Sequence, residues 1–279
     1  MINNNFARTI NTDAFEERWK KNSRLKDRFR YNFEAARKNL IYSLKKTGVS
    51  KRNKKVLDIG FGSGLMMFNF HKSCEIYGTE FSDYAIKTCN KIGKKIGYKK
   101  IELTVPDDSE ILPYEDNFFD VIIASHVVEH VEKDKLLLKE MHRCLKKSGV
   151  MYVICPIDNL EPNTILSEDE LINPLYLQKK HWHVRNYNEA SFCDRFKDLS
   201  SPISFKRYDM KIWDWKVRLD SFRSKLSSYT LGKPFNFLIR IFLNVPLCLI
   251  PLKILDLIDS FFGRLGYKNR QSIIAVKKL

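Results

Sequence analysis

Three groups of residues in this sequence have the types and spacing to do chemistry. The first is Asp58-Ile59-Gly60-Phe61-Gly62-Ser63-Gly64, where an apolar stretch runs into a glycine-spaced turn. Glycine is needed where backbone turns tightly and meets a ligand with no Cβ in the way. A helix start after the turn would offer free N–H groups to a polar ligand. The second group is acidic: Glu80, and Asp108 beside Ser109. A carboxylate at a strand end can accept both hydroxyls of a nucleoside ribose. The third group carries histidine: Ser125-His126 and Glu129-His130 after one apolar run, and His181 and His183 around Trp182. Histidine exchanges a proton near neutral pH, so His126, His181 and His183 are candidate general bases. Each group has a plainer alternative. Glycines can be incidental to a turn, an acidic strand end can simply be solvated, and a lone histidine is more often structural.

These residues lie far apart in sequence, so a scaffold must collect them. Apolar runs at Lys55–Ile59, Glu75–Glu80, Ile101–Val105, Phe119–Ala124 and Gly149–Cys155 read as strands. Helical patterns fall between most of them, at Leu65–Lys72, Asp83–Ile96 and Lys133–Lys146. Such alternation predicts a parallel sheet covered on both faces. Ser204–Tyr208 and Ser272–Val276 read as two more strands. The expected fold is α/β, doubly wound, with a mostly parallel seven-stranded Rossmann-like sheet and helical N-terminal and C-terminal cap insertions. Its parts are a basic helical segment (1–50), the sheet domain (51–210), an apolar helical insertion (211–270) and the last strand (271–279). Helix is expected over 13–47, from Leu25, Phe29, Phe33 and Leu40. Within the insertion, 234–262 is strongly apolar, with a narrow polar stripe at Asn236, Arg240 and Asn244.

The glycine spacing separates two ligand classes. A GxGxxG dinucleotide fingerprint starting at Gly60 would place glycine at position 65, which is Leu65. The third glycine is Gly64, and Asp58 stands two residues before the first. This DxGxGxG stretch resembles the class I S-adenosylmethionine-dependent methyltransferases, in their small-molecule branch. Phe118-Phe119-Asp120 through Val128-Glu129-His130-Val131 resembles the same branch's fourth strand and following turn. The resemblance is specific over about residues 50–156 and weakens beyond.

It implies S-adenosylmethionine as cofactor and S-adenosylhomocysteine as product. It implies that Asp58, Gly60, Phe61, Gly62 and Gly64 form the cofactor turn. Glu80 would hold the ribose, with Phe81 beside the adenine. Asp108 would accept from the adenine amino group, and the Ser109 N–H would meet a ring nitrogen. Ser125 and His126 would lie at the carboxyl edge of the sheet, among the cofactor-binding residues. Glu129 and His130 would orient the turn rather than perform chemistry. Methyl transfer needs the two reactants held collinear and water excluded. His126 is the first choice for a base, because it follows the fourth strand.

The acceptor expected is a small metabolite, sugar or glycan precursor, methylated at oxygen. Residues 1–55 hold 16 Lys/Arg against 5 Asp/Glu, leaving most of the net charge of +16 in that segment. A basic segment suits an anionic partner or a solvated face. With the apolar 234–262, it allows a second expectation: a lipid-linked acceptor and peripheral contact with an anionic membrane. RNA is a third, less favoured because no RNA-binding module is recognisable. The six cysteines show no CxxC pair, so no metal site is expected from them. The opening MINNNFARTI has no apolar signal region, and the run between Arg240 and Lys253 has 12 residues where a membrane span needs roughly 20. A cytoplasmic protein is the default expectation.

Overall fold

The structure, a computed structural model, describes residues 40–106, 110–157, 183–199, 202–207 and 271–279. Residues 40–47 are helical (α1). They are followed by β1 (Lys55–Ile59), β2 (Glu75–Thr79), α2 (Asp83–Ile96), β3 (Lys100–Thr104) and β4 (Phe119–Ser125). Then come α3 (Asp134–Cys144), β5 (Leu145–Pro156), α4 (Glu189–Asp194), β6 (Pro202–Arg207) and β7 (Gln271–Lys277). Contacts divide the chain into one unit of Met1–Phe205 with Ser272–Leu279 and another of Lys206–Gln271.

The sheet order is β3-β2-β1-β4-β5-β7-β6. Strands β1 to β5 pair in parallel. The end of β7 meets the start of β5: Ser148 N–H donates to the Lys278 carbonyl at 2.8 Å, and Lys278 N–H to that of Gly149 at 3.0 Å. That pairing is antiparallel, so the sheet is mixed but mostly parallel.

Burial alternates along the strands as the pleat requires. Leu57, Ile59, Tyr77, Ile122, Ala124, Met151 and Val153 belong to one apolar cluster. Their neighbours Val56, Ile76, Val121, Ile123, Val150, Tyr152 and Ile154 belong to the other. Both faces are therefore buried, the condition for a parallel sheet.

Local signals set the helix ends. Ser82 caps α2, its side chain accepting from Ala85 N–H, and Gly97 closes it at φ 79°. Asn188 and Ser191 form a capping box on α4. Where β4 meets β5, Phe119 pairs with Leu145 but Val121 pairs with Val150. The intervening residues, with Ser148 at φ 63°, bulge outward.

One expected helix is absent. Leu65–Lys72 forms turns with a short 3₁₀ piece at Met67–Asn69. Asp58 holds the Met67 N–H, and the Asn69 side chain donates to the Leu65 and Met66 carbonyls. Side-chain bonds of this kind compete with the helix ladder. The other two helical stretches between strands and the first five strands lie where expected, within a few residues, and of the helix expected over 13–47 the described part, 40–47, is helical. Expectations for 1–39, 158–182 and 208–270, including the cap at 211–270 and His181, fall outside the described residues.

Candidate active site

The sheet register places the candidate residues side by side. Ile59 pairs with Thr79 on one side and Ala124 on the other. Thr79 pairs with Thr104, and Ala124 with Val153. The next residue along β2, β1 and β4 is Glu80, Gly60 and Ser125. These sit in one row at the carboxyl edge. The chain runs from β1 outward to β2 and β3, then returns to the other side of β1 as β4. This reversal opens a crevice, where open α/β sheets bind ligands.

The glycine turn is built for close backbone approach. Gly60, Gly62 and Gly64 all have positive φ, at 60°, 50° and 73°. Side chains rarely adopt this region. A Cβ on Gly60 would lie 2.7 Å from Val127 Cγ2, and one on Gly64 would lie 2.4 Å from the Phe68 ring.

Two carboxylates hold the turn from beneath. Glu80 Oε2 accepts from Gly62 N–H at 2.8 Å, while its Oε1 accepts from the N–H groups of Phe81 and Ser82. Asp58 Oδ2 accepts from Met67 N–H at 3.0 Å. Asp58 is buried, and burial pushes its carboxyl up to about 8, against the lowering effect of that hydrogen bond. The nearby Glu80 charge adds to the rise. Phe61 is buried under the turn, where Gly78 leaves room for its ring. Cys89 of α2 reaches the Gly62 carbonyl at 3.6 Å, a neighbour that sequence spacing gave no means of finding.

At the end of β4 the chain turns sharply. His126 takes φ 58° and its N–H donates to the Ile154 carbonyl. The imidazole Nδ1 lies 3.3 Å from Glu129 Oε1, with His126 36% exposed and Glu129 1%. Burial alone would raise the Glu129 carboxyl. The His126 hydrogen bond and the neighbouring charges of His130, His126 and His183 outweigh it and hold the group at about 2. The Ser125 hydroxyl is buried and has no hydrogen-bond partner among the described residues. An orphaned buried hydroxyl at a crevice fits a ligand that completes its bonding.

His183 stands against His130, their rings 4.9 Å apart. Residues 184 and 185 donate backbone N–H groups to the Glu129 carbonyl. The Arg185 guanidinium, buried with Asp134, pins this segment to the start of α3. The structure thus brings together Asp58, the glycines, Glu80, Phe81, Ser125 and His126. Asp108 and Ser109 lie outside the described residues. The His183–Glu129 apposition joins residues 54 apart and is invisible to local pattern.

The fold and crevice define a Rossmann-like nucleoside-binding domain with a methyltransferase's glycine turn. A family model described as a methyltransferase domain matches residues 57–153, the stretch that runs from β1 through the glycine turn to β5. The chain is 30% identical over 148 residues to a sterol 24-C-methyltransferase of Schizosaccharomyces pombe, covering 51% of this chain and 38% of that protein. It is 28% identical over 144 residues to a ubiquinone biosynthesis O-methyltransferase of Pelagibacter ubique, covering 50% of this chain and 59% of that protein. The chain thus spans about half the length of these curated relatives. A phosphoethanolamine N-methyltransferase of Haemonchus contortus, solved with S-adenosylmethionine, superposes with TM-score 0.52 at 17% identity, covering 86% of this chain and 52% of that one. That likeness is one of fold.

Proposed function

We propose that this chain methylates a hydroxyl oxygen of a small metabolite, sugar or glycan precursor, with S-adenosylmethionine as donor. The observation that carries the reading is the His126–Glu129 pair, 3.3 Å apart, one residue past the row of Glu80, Gly60 and Ser125. A hydroxyl nucleophile must lose a proton, and a carboxylate-oriented imidazole beside the crevice is suited to take it. The bound cofactor supplies a methyl group on a sulfonium, already a good leaving group. Within this reading Glu80 accepts the ribose hydroxyls, Phe81 flanks the adenine, and Asp108 and Ser109 bond its edge. Ser125 donates its spare hydroxyl to the bound ligand. The seven-strand count, supported by the placement of β6 and β7 in the sheet order, completes the fold.

Calorimetry with S-adenosylmethionine and S-adenosylhomocysteine tests the cofactor. Transfer of labelled methyl to hydroxyl acceptors tests the chemistry. His126→Ala should lower kcat by about 10²–10⁴-fold with cofactor affinity unchanged. No binding of either cofactor form would defeat the assignment. A kcat untouched by His126→Ala would remove the base.

A second reading keeps the chemistry and changes the acceptor to a lipid-linked molecule at an anionic membrane. It is favoured by relatives named for sterol methylation and for ubiquinone biosynthesis. No helix among the described residues is long and apolar enough to cross a membrane. Turnover of a lipid-linked acceptor only with anionic vesicles present would select this reading.

A further inference from the structure

The buried carboxylate beside the crevice has an unusual set of neighbours. Glu129 is 1% exposed. Its acidic side chain meets His126, His130, His183 and the Cys155 thiol. Its ion-pair partner among the described residues is His126, not a lysine or arginine. Imidazoles carry no permanent charge, and a carboxylate buried without a fixed cation is costly. A bound cation would remove that cost.

The ligand atoms of Glu129, His130 and His183 all lie within 4.8 Å of one another. Three such atoms held tetrahedrally at about 2.1 Å from a shared ion lie about 3.4 Å apart, so closure asks for side-chain rotations that shorten the widest separation by up to roughly 1.4 Å. Two imidazoles and one carboxylate suit zinc and its first-row neighbours, and leave coordination positions open. The arrangement is also held in advance. Val184 N–H donates to the Glu129 carbonyl at 2.9 Å, which fixes His183 beside the very residue it would join at the metal. Arg185 donates to the carbonyl of Val131, the residue after His130, at 3.0 Å. A carboxylate offers about four lone-pair positions, so one metal bond leaves room for the His126 contact.

We propose that Glu129, His130 and His183 form a site for one divalent transition metal of the zinc type, at the rim of the crevice beside His126. The site stands on its own residues. Its use rests on the O-methylation reading: the metal's open positions would take the acceptor oxygen and lower the pKa of its hydroxyl, next to the base.

The test uses the full chain, stripped with a chelator and dialysed. Zinc is titrated in competition with a chromophoric chelator, and cobalt(II) is added to follow its visible absorption. One zinc per chain is expected, with a cobalt spectrum of nitrogen and oxygen ligation. Glu129→Gln removes the anionic ligand but sits in the buried turn and could disturb folding. His183→Ala, at a half-buried position, is therefore the deciding variant. Loss of an outer-shell partner alone weakens metal sites by about 10–100-fold, so loss of this ligand should weaken zinc by at least that. Zinc should raise the melting temperature of the parent chain and not that of His183→Ala. Failure to bind zinc at one per chain would overturn the site. So would unchanged binding in His183→Ala, or a thiolate charge-transfer band placing cobalt on cysteine. These readouts need neither cofactor nor acceptor, so they stand or fall separately from calorimetry with S-adenosylmethionine.

Discussion

The Gly62 N–H donates to Glu80 Oε2 at 2.8 Å, across 18 residues of sequence. This bond ties the middle of the glycine turn to the end of the neighbouring strand. Glu80 therefore has two duties. It holds the turn in its left-handed conformation, and under the proposed function it would also meet the cofactor's ribose.

Substituting Glu80 should hurt cofactor binding through both duties. A hydrogen bond to a charged group contributes about 1.5–3 kcal/mol, or roughly 10–100-fold in affinity. Glu80→Ala is expected to weaken S-adenosylhomocysteine by at least that factor in calorimetry. Glu80→Gln keeps one acceptor oxygen and should fall between. Equal affinities for all three chains would show that the carboxylate does not meet the ligand.

Asp58 makes stability fall with rising pH. Its folded carboxyl is pushed from 3.8 up to about 8, so the folded state binds the proton more tightly than the unfolded state. The group's full contribution is present below about pH 4 and is lost as pH rises toward about 8. Asp58→Asn keeps an acceptor for the Met67 N–H and has no proton to lose. Urea unfolding of the unliganded chain at pH 6 and pH 9 should show a smaller decline for Asp58→Asn, by on the order of a kcal/mol or more. Parallel declines in both proteins would place the Asp58 carboxyl near its ordinary value.

Much of this site was legible in the sequence because its signals are local. Gly60, Gly62 and Gly64 need positive φ, and only one residue type supplies it freely. Glu80 and Ser125 follow apolar strands whose parallel pairing brings their ends together. What could not be read depends on contacts between distant turns. Leu65–Lys72 has a helical pattern, yet Asp58 and Asn69 take up its backbone groups. Glu129 read as a turn-orienting residue, because nothing near it in sequence announces His183. Cysteine spacing pointed away from metal, and it had no bearing on a Glu-His-His cluster gathered from two segments.

The segment carrying His183 depends on a buried ion pair, and its removal should be costly. Arg185 and Asp134 are 3% and 4% exposed, with Nη1 and Oδ1 2.8 Å apart. Arg195 Nε lies 2.9 Å from the other oxygen, and the Tyr187 hydroxyl donates to it at 2.6 Å. Breaking one side of a buried pair costs about 3–5 kcal/mol, because the remaining charge is stranded. Arg195 stays on Asp134, so Arg185→Met is expected near the lower end of that range. Adding Asp134→Asn removes the stranded charge and should recover part of the loss, although an isolated Asp134→Asn is itself destabilising. Urea midpoints of the two single variants and the double variant close the cycle. A double variant as unstable as the two losses summed would mean that Arg185 acts through its bonds to the Val131 and Glu132 carbonyls. In that case Asp134 would serve mainly Arg195 and Tyr187.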